Sequence, residues 1–252
     1  MIFDSHAHYN DSKFNEDRDQ ILSSMTENGI GYIMNAADSM ESVKKIMALC
    51  EKFPFMYMSI GVHPENTAHM TEDDIELLKK YAEYEKVKAI GEIGLDYYWD
   101  DVERDIQKKW FIRQLELANS LNLPVIIHDR EAHGDTVDIL KNHLKTGGVL
   151  HCFSGSREMA KDVLDMGMYL AFGGTLTFKN ARKSREVLEY VPLDRILVET
   201  DCPYLAPEPN RGKRNSSLYI PYILETMAEI KGITKEEAEE ITYNNAKKCF
   251  NI

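Results

Sequence analysis

The chain has 252 residues, 43% of them hydrophobic and 29% charged, with a formal net charge of −12. That length holds one large α/β domain or two small ones, and the composition is that of an ordinary globular enzyme. The negative charge argues against a protein that coats nucleic acid non-specifically, although it leaves room for one that grips phosphates locally.

The first predicted strand is "MIFDSHA", closed by His6 and the nearby His8. Residues i and i+2 of a strand point to the same face, so both imidazoles project one way and two neutral rings can ligate one cation. An isolated His-x-His also suits a solvent-exposed polar pair, so the rest of the chain has to decide. Strands are predicted next at "GIGYIMNAA" and at "FMYMSIGV", the latter ending at His63. The segment "DDIELLKKYAEYE" has helical spacing, and "VKAIGEIGL" is a fourth strand, taken to close at Glu92. A helix over "IQKKWFIRQLELANSLN" stops before Pro124, which opens "PVIIH", a fifth strand ending at His128. "GVLHCF" carries His151 at the end of a sixth strand. It is followed by the helical "EMAKDVLDMG", a seventh strand at "MYLAFGG" and an eighth at "RILVET", after which comes Asp201. In the last helix Thr234 is the N-cap, with Glu237 three residues on.

Eight strand-then-helix units in about 250 residues match a closed (β/α)8 TIM barrel spanning residues 1–252 as a single domain. An open doubly wound sheet usually displays a Gly-rich phosphate loop, and none is evident. No apolar run approaches the length of a membrane span, and the opening residues lack the pattern of a secretory signal. Cys50, Cys152, Cys202 and Cys249 have no C-x-x-C spacing, so they read as reduced thiols of a cytoplasmic protein.

On that frame His6, His8, Glu92, His128, His151 and Asp201 come from five strands and all sit at carboxyl ends, the face where barrel enzymes build their sites. Singly, each has a bland reading as a satisfied core histidine or an ion-paired acid. Together, charged and imidazole groups ending apolar strands are costly to bury unless paired or metal-bound, and the pattern points to a metal cluster. Four imidazoles and two carboxylates are a donor set that ligand softness assigns to Zn2+, Mn2+ or similar ions rather than Mg2+.

The stretches "IFDSHAHYN", "GVHP", "IGEIGLDYY", "PVIIHDREA", "HCFSGS" and "ETDCPYLAP" resemble the TatD family of metal-dependent deoxyribonucleases, within the amidohydrolase superfamily. The resemblance runs in order through nearly the whole chain to "PNRGKRN". It implies a (β/α)8 barrel with one or two divalent ions, described for the family as Mg2+, that hydrolyses DNA phosphodiester bonds, typically from the 3′ end. By motif, His6 and His8 would hold the first ion with Asp201, His128 and His151 the second, and Glu92 would bridge both. Asp201 could also take a proton from, or orient, the attacking water. The chain departs from the family's pattern at Gly134, where an acidic residue is usual; Asp135 is one further.

Around this set the roles stay divided. His63 is either a phosphate contact or proton donor, as the resemblance suggests, or a packed histidine. Arg130 could reach a phosphate oxygen or pair with a helix acid, and Glu199 could orient water or neutralise a neighbouring cation. Arg211, Lys213 and Arg214 of "NRGKRN" form the clearest basic cluster, suited to a nucleic-acid backbone or to a solvated ion-pair patch. Tyr97, Tyr98 and Trp99 could stack on bases or cap the barrel as an apolar lid. The expected partner is DNA, with single-stranded ends in view, and no membrane. Another ester or amide on the same site, such as an aminoacyl ester of transfer RNA, is the alternative substrate, and a catalytically silent binding protein is the alternative class.

Overall fold

A computed structural model describes residues 1–99 and 101–252. Eight parallel strands follow one another in spatial order β1 to β8: β1 (Ile2–Ala7), β2 (Ile30–Ala36), β3 (Met56–Ile60), β4 (Val87–Asp96), β5 (Val125–Arg130), β6 (Gly148–Leu150), β7 (Tyr169–Phe172) and β8 (Ile196–Val198). Helices alternate with them: α1 (Arg18–Ser23), α2 (Met40–Lys52), α3 (Glu72–Tyr81), α4 (Arg104–Leu121), α5 (His133–His143), α6 (Arg157–Asp165), α7 (Arg182–Tyr190), then α8 (Ile220–Lys231) and α9 (Lys235–Phe250). This is the (β/α)8 TIM barrel, and all eight expected strands are present. The barrel closes where β1 meets the segment after β8. Asp201 N–H donates to the His6 carbonyl at 3.0 Å, and His8 N–H donates to the Cys202 carbonyl at 2.8 Å.

Helix ends follow their local chemistry. Thr234 Oγ1 accepts from Glu237 N–H at 3.1 Å while the Glu237 carboxylate accepts from Thr234 N–H at 2.8 Å, the reciprocal cap expected for α9. Among the described residues no helix is long and apolar enough to cross a membrane. All four cysteines are free thiols.

Two apolar layers hold the barrel. The larger lies between strands and helices. The second gathers Phe3, Met34, Ala89, Ile126, Val149, Ala171 and Leu197, residues of seven different strands, against Phe250 of α9. That layer fills the amino-terminal part of the barrel interior, with the last helix packed across it.

Two irregularities move polar residues into the interior above this layer. Strict alternation would put Phe3 and His6, three residues apart, on opposite faces. The β1–β2 register shifts between Asp4 and Ala7, which lets both point inward. The same applies to Ala89 and Glu92, where the β4–β5 register shifts between Ile90 and Ile93. At Gly91 a Cβ would come within 2.7 Å of Ile126, so only glycine lets the two strands approach this closely there. Contrary to the expectation from sequence, Glu92 therefore does not close its strand. It lies inside β4, which runs on to Asp96. Likewise β5 continues past His128, and Arg130 is its last residue rather than part of the following loop.

Candidate metal centre

His6, His8, Glu92, His128, His151 and Asp201 converge at the carboxyl end of the barrel, and all are withdrawn from solvent to different degrees. Glu92 is the hub. Its Oε2 lies 3.3 Å from His6 Nε2 and 3.5 Å from His8 Nε2. Its Oε1 lies 2.9 Å from His128 Nδ1, 2.8 Å from His151 Nε2 and 3.7 Å from His63 Nε2. Asp201 completes the first side, with Oδ1 3.4 Å from His8 Nε2 and 3.8 Å from His6 Nε2. One carboxylate thus faces two separate sets of ring nitrogens.

The hydrogen bonds fix which nitrogens carry lone pairs. His8 Nδ1 lies 3.1 Å from the Ala36 carbonyl, an acceptor, so that nitrogen carries the proton. In the neutral ring Nε2 is then a bare lone pair, aimed at His6 Nε2 only 3.0 Å away and at two carboxylate oxygens. His128 repeats the arrangement. Its Nε2 meets Asp96 Oδ2 at 2.9 Å, leaving Nδ1 to face Glu92 and, at 3.3 Å, His151 Nε2. Lone pairs directed at carboxylate oxygens repel unless a cation or a proton sits between them. A carboxylate or carbonyl on the far nitrogen of each imidazole is also how metal-ligating histidines are oriented. The donor atoms of His6, His8 and Glu92 lie within 4.8 Å of one another, as do those of His6, His151 and Glu199 and those of His63, Glu92 and His128. Among the described residues, buried His6 Nδ1, His151 Nδ1 and Glu199 Oε2 have no hydrogen-bond partner. The set fits divalent cations of borderline softness.

The electrostatics agree. Burial by itself lowers His8, but the hydrogen bond with Asp201 and the charge of Glu92 outweigh it and raise the ring to about 9. His128 is raised to about 9 in the same way, against burial, by Asp96 and Glu92. Burial would raise Glu92, yet the surrounding His151 and His6 hold it well below the usual carboxylate range. The carboxylates thus favour positive charge on His8 and His128, whereas burial and the neighbouring His151 lower His6.

His63 differs from the ligand set. Its Nδ1 accepts from Glu65 N–H at 3.3 Å, so a neutral ring carries its proton on Nε2, toward Glu92. Burial, then the neighbouring His128, pulls its pKa down to about 3. His63 is thus a neutral hydrogen-bond donor at the rim. Glu199 takes a positioning place: its Oε1 accepts from Cys152 N–H at 2.6 Å and lies 3.6 Å from His151 Nδ1.

The cations of "NRGKRN" do not converge on the centre as a group. Arg214 is held by both oxygens of Asp17, at 2.8 and 2.5 Å, and donates to the Lys13 carbonyl, so its fork is already engaged. Lys213 donates to Asn210 Oδ1 at 3.1 Å, and the Arg211 guanidinium lies 4.2 Å from the centre of the Phe178 ring. Arg130, the exposed end of β5, rests over Tyr98 at 3.8 Å. Gly134 has nothing near an added Cβ, and Asp135 binds Tyr97 Oη and Lys108 Nζ, each at 2.6 Å. The departure from the family pattern there leaves the donor cluster untouched.

Two residues went unassigned from sequence. Asp96 was readable as an acid ending an apolar strand in "GLDYY", four residues beyond Glu92. Asp4 is fully buried, and its carboxylate accepts from Ser217 Oγ at 2.6 Å, Thr200 Oγ1 at 2.7 Å and Thr200 N–H at 3.0 Å. This ties β1 to the segment that carries Asp201. A charged residue within "MIFDSHA" was the only sequence signal for it.

Comparison with known proteins places these observations. The sequence profile of the family described as "TatD related DNase" matches residues 3–251. A Bacillus subtilis protein named uncharacterized metal-dependent hydrolase YabD is 44% identical over 254 residues, covering all of both chains. The Escherichia coli K12 protein YcfH, named in the same way, is 38% identical over all of this chain and 96% of its own. The crystal structure of YjjV, a TatD homologue from Escherichia coli K12, superposes with a TM-score of 0.93 at 32% identity, over 100% of this chain and 98% of that one.

Proposed function

Since this chain belongs to the TatD-related DNase family and is a metal-dependent hydrolase of that type, we propose that its substrate is DNA, shortened from the 3′ end by hydrolysis of successive phosphodiester bonds. The observation that carries the reading is Glu92, whose two oxygens face His6 and His8 on one side and His128 and His151 on the other. That arrangement suits two cations. His6, His8 and Asp201 would hold one, His128 and His151 the other, with Glu92 shared. Bound divalent ions would supply Lewis acidity toward a phosphate oxygen and make a bound water more acidic. Mg2+ fits the family's description, and Zn2+ or Mn2+ fits the nitrogen-rich donors better.

The chain's own groups divide the remaining work. Asp201 has an oxygen within reach of the His8 side of the cluster and a backbone fixed by its N–H bond to His6, so it can orient the attacking water or accept its proton. The Nε2–H of His63 is directed to the rim of the same cluster and serves as the donor to a phosphate or leaving oxygen. Arg130, two residues beyond His128 on β5, is exposed at the strand's end, and we assign it the contact with an incoming phosphate.

The test uses single-stranded oligonucleotides labelled at the 3′ or the 5′ end. They are incubated with chelated protein, with protein restored by Mg2+, Mn2+ or Zn2+, and with Glu92→Ala. Metal-dependent stepwise shortening that loses the 3′ label first and is abolished in Glu92→Ala supports the reading. Intact DNA with every metal, while the metal is bound, rejects it and turns the search to aminoacyl esters and amides.

A further inference from the structure

Three aromatic residues follow Asp96, and the structure divides them. Tyr97 faces inward, its hydroxyl on Asp135 and the Arg104 guanidinium 4.2 Å from its ring centre. Tyr98 and Trp99 stand outside, 54% and 48% exposed, edge to face with centroids 4.8 Å apart. A lid over an apolar barrel would bury its rings, and these two are left in water. The Arg130 guanidinium lies 3.8 Å from the Tyr98 ring centre and 5.7 Å from that of Trp99. Among the described residues, no carboxylate pairs with it.

The position of these rings is fixed from the site. Asp96 Oδ1 accepts from Tyr98 N–H at 2.9 Å and Trp99 N–H at 3.4 Å, while its Oδ2 meets His128 Nε2 at 2.9 Å. Gln107 of α4 holds the same turn, donating to the Asp96 carbonyl and accepting from its N–H, both at 2.9 Å. One buried carboxylate therefore couples an imidazole of the metal centre to the two backbone amides that present the aromatics. Exposed indole and phenol rings beside a guanidinium are the chemistry that stacks unpaired bases and holds the adjoining phosphate. In a chain of net charge −12 this local cation also offsets repulsion of a polyanion.

Resting on the DNA reading of the centre, we propose that Tyr98, Trp99 and Arg130 form a stacking platform for the unpaired 3′-terminal base of a DNA strand. The platform grips the base next to the bond to be cut, and because every base has a π face it does so with little sequence preference.

The experiment uses metal-loaded protein and a 5′-fluorescein hexathymidylate with phosphorothioate linkages that resist hydrolysis, beside the same strand lacking its 3′-terminal base. Anisotropy gives the affinities. Indole emission locates the contact, since the chain has two tryptophans and Trp110 is only 4% exposed. The complete strand is expected to quench the exposed indole and to bind roughly 5- to 150-fold tighter than the abasic one. Trp99→Ala is expected to lose this distinction, and Trp99→Phe, which keeps a ring, to retain part of it. Equal wild-type affinity for the two strands, or a Trp99→Ala protein that still distinguishes them, overturns the platform. Cleavage of an ordinary strand, followed in parallel, separates the two readings. Hydrolysis without base-dependent binding removes the platform alone, whereas base-dependent binding without hydrolysis removes the nuclease reading and leaves the platform as a DNA-binding feature.

Discussion

Asp4 touches no predicted ligand atom through its side chain, yet the barrel closes around it. Replacing it with alanine removes the acceptor of Thr200 N–H, of the Thr200 and Ser217 hydroxyls, and of a longer contact from His6 N–H at 3.4 Å. The hydroxyls have other acceptors: Thr200 Oγ1 lies 3.4 Å from the His6 carbonyl and Ser217 Oγ 2.9 Å from Tyr9 Oη. Thr200 N–H has none and is orphaned in a fully buried place. An orphaned buried donor costs about 1–3 kcal/mol, and weakened hydroxyl bonds add to it. The vacated side-chain volume adds a cavity penalty, offset in part by removing a carboxylate that is costly to bury. The expected net loss for Asp4→Ala is about 3 kcal/mol, a sizeable share of the few to fifteen a domain possesses. Asp4→Asn keeps one oxygen for Thr200 N–H and is expected to cost about 1 kcal/mol.

The consequence reaches the metal centre because Thr200 precedes Asp201, whose own N–H is bonded to the His6 carbonyl. Loosening that junction is expected to weaken metal binding by roughly 10- to 100-fold, the range for groups that orient ligands without being ligands. Urea unfolding of chelated protein gives the stability terms, and a metal-competition titration gives the affinities. If Asp4→Ala unfolds within about 0.5 kcal/mol of the parent, the scatter of ordinary surface substitutions, the reasoning fails. It also fails if stability falls while metal affinity is unmoved.

Three further outcomes follow from the same structure. Removing metal by chelation is expected to lower the thermal midpoint and restoring it to recover the loss, by about 2.7 kcal/mol when free metal is a hundred times its dissociation constant; scanning calorimetry across metal concentration measures this. Phe250→Ala, which empties a fully buried ring packed 5.9 Å from Phe3, is expected to cost about 3–5 kcal/mol in urea unfolding while metal content stays at the parent level. Burial pushes the Cys50 thiol up to about 12, against roughly 8.5 in an unfolded chain, so the unfolded state loses its proton first. Stability is then unaffected below about pH 8.5 and declines as pH rises toward 12, by about 2 kcal/mol at pH 10, and Cys50→Ala flattens that slope in unfolding curves taken at pH 8 and 10.

The strand and helix order was legible because each strand is a short apolar run between amphipathic segments, and that pattern survives without any long-range contact. The donor set was legible for a related reason: His8, His151 and Asp201 stand just beyond strand ends, where the next residue along an apolar run already lies at the barrel mouth. Less was legible wherever position depends on two distant segments meeting. Asp4, Thr200 and Ser217 share one hydrogen-bond cluster although up to 213 positions separate them. Arg214 reads as a free cation in "NRGKRN", and only the fold brings Asp17 beneath it.

Glu92 shows the limit in its sharpest form. Period-two counting from the interior residue Ala89 sends Glu92 outward toward the helices, yet the structure has it at the hub of five imidazoles. The register shift between Ile90 and Ile93 reverses the face, and glycine at position 91 lets β4 come close enough to Ile126 to make that shift. The β1 shift between Asp4 and Ala7 does the same for His6 relative to Phe3. Both irregularities lie between the apolar interior layer and the donor cluster, so a strand that packs its lower half like any barrel strand can turn an acid or an imidazole inward above it. The polar centre is thereby built without disturbing the apolar layer beneath. A regular β4 could satisfy one of the two but not both.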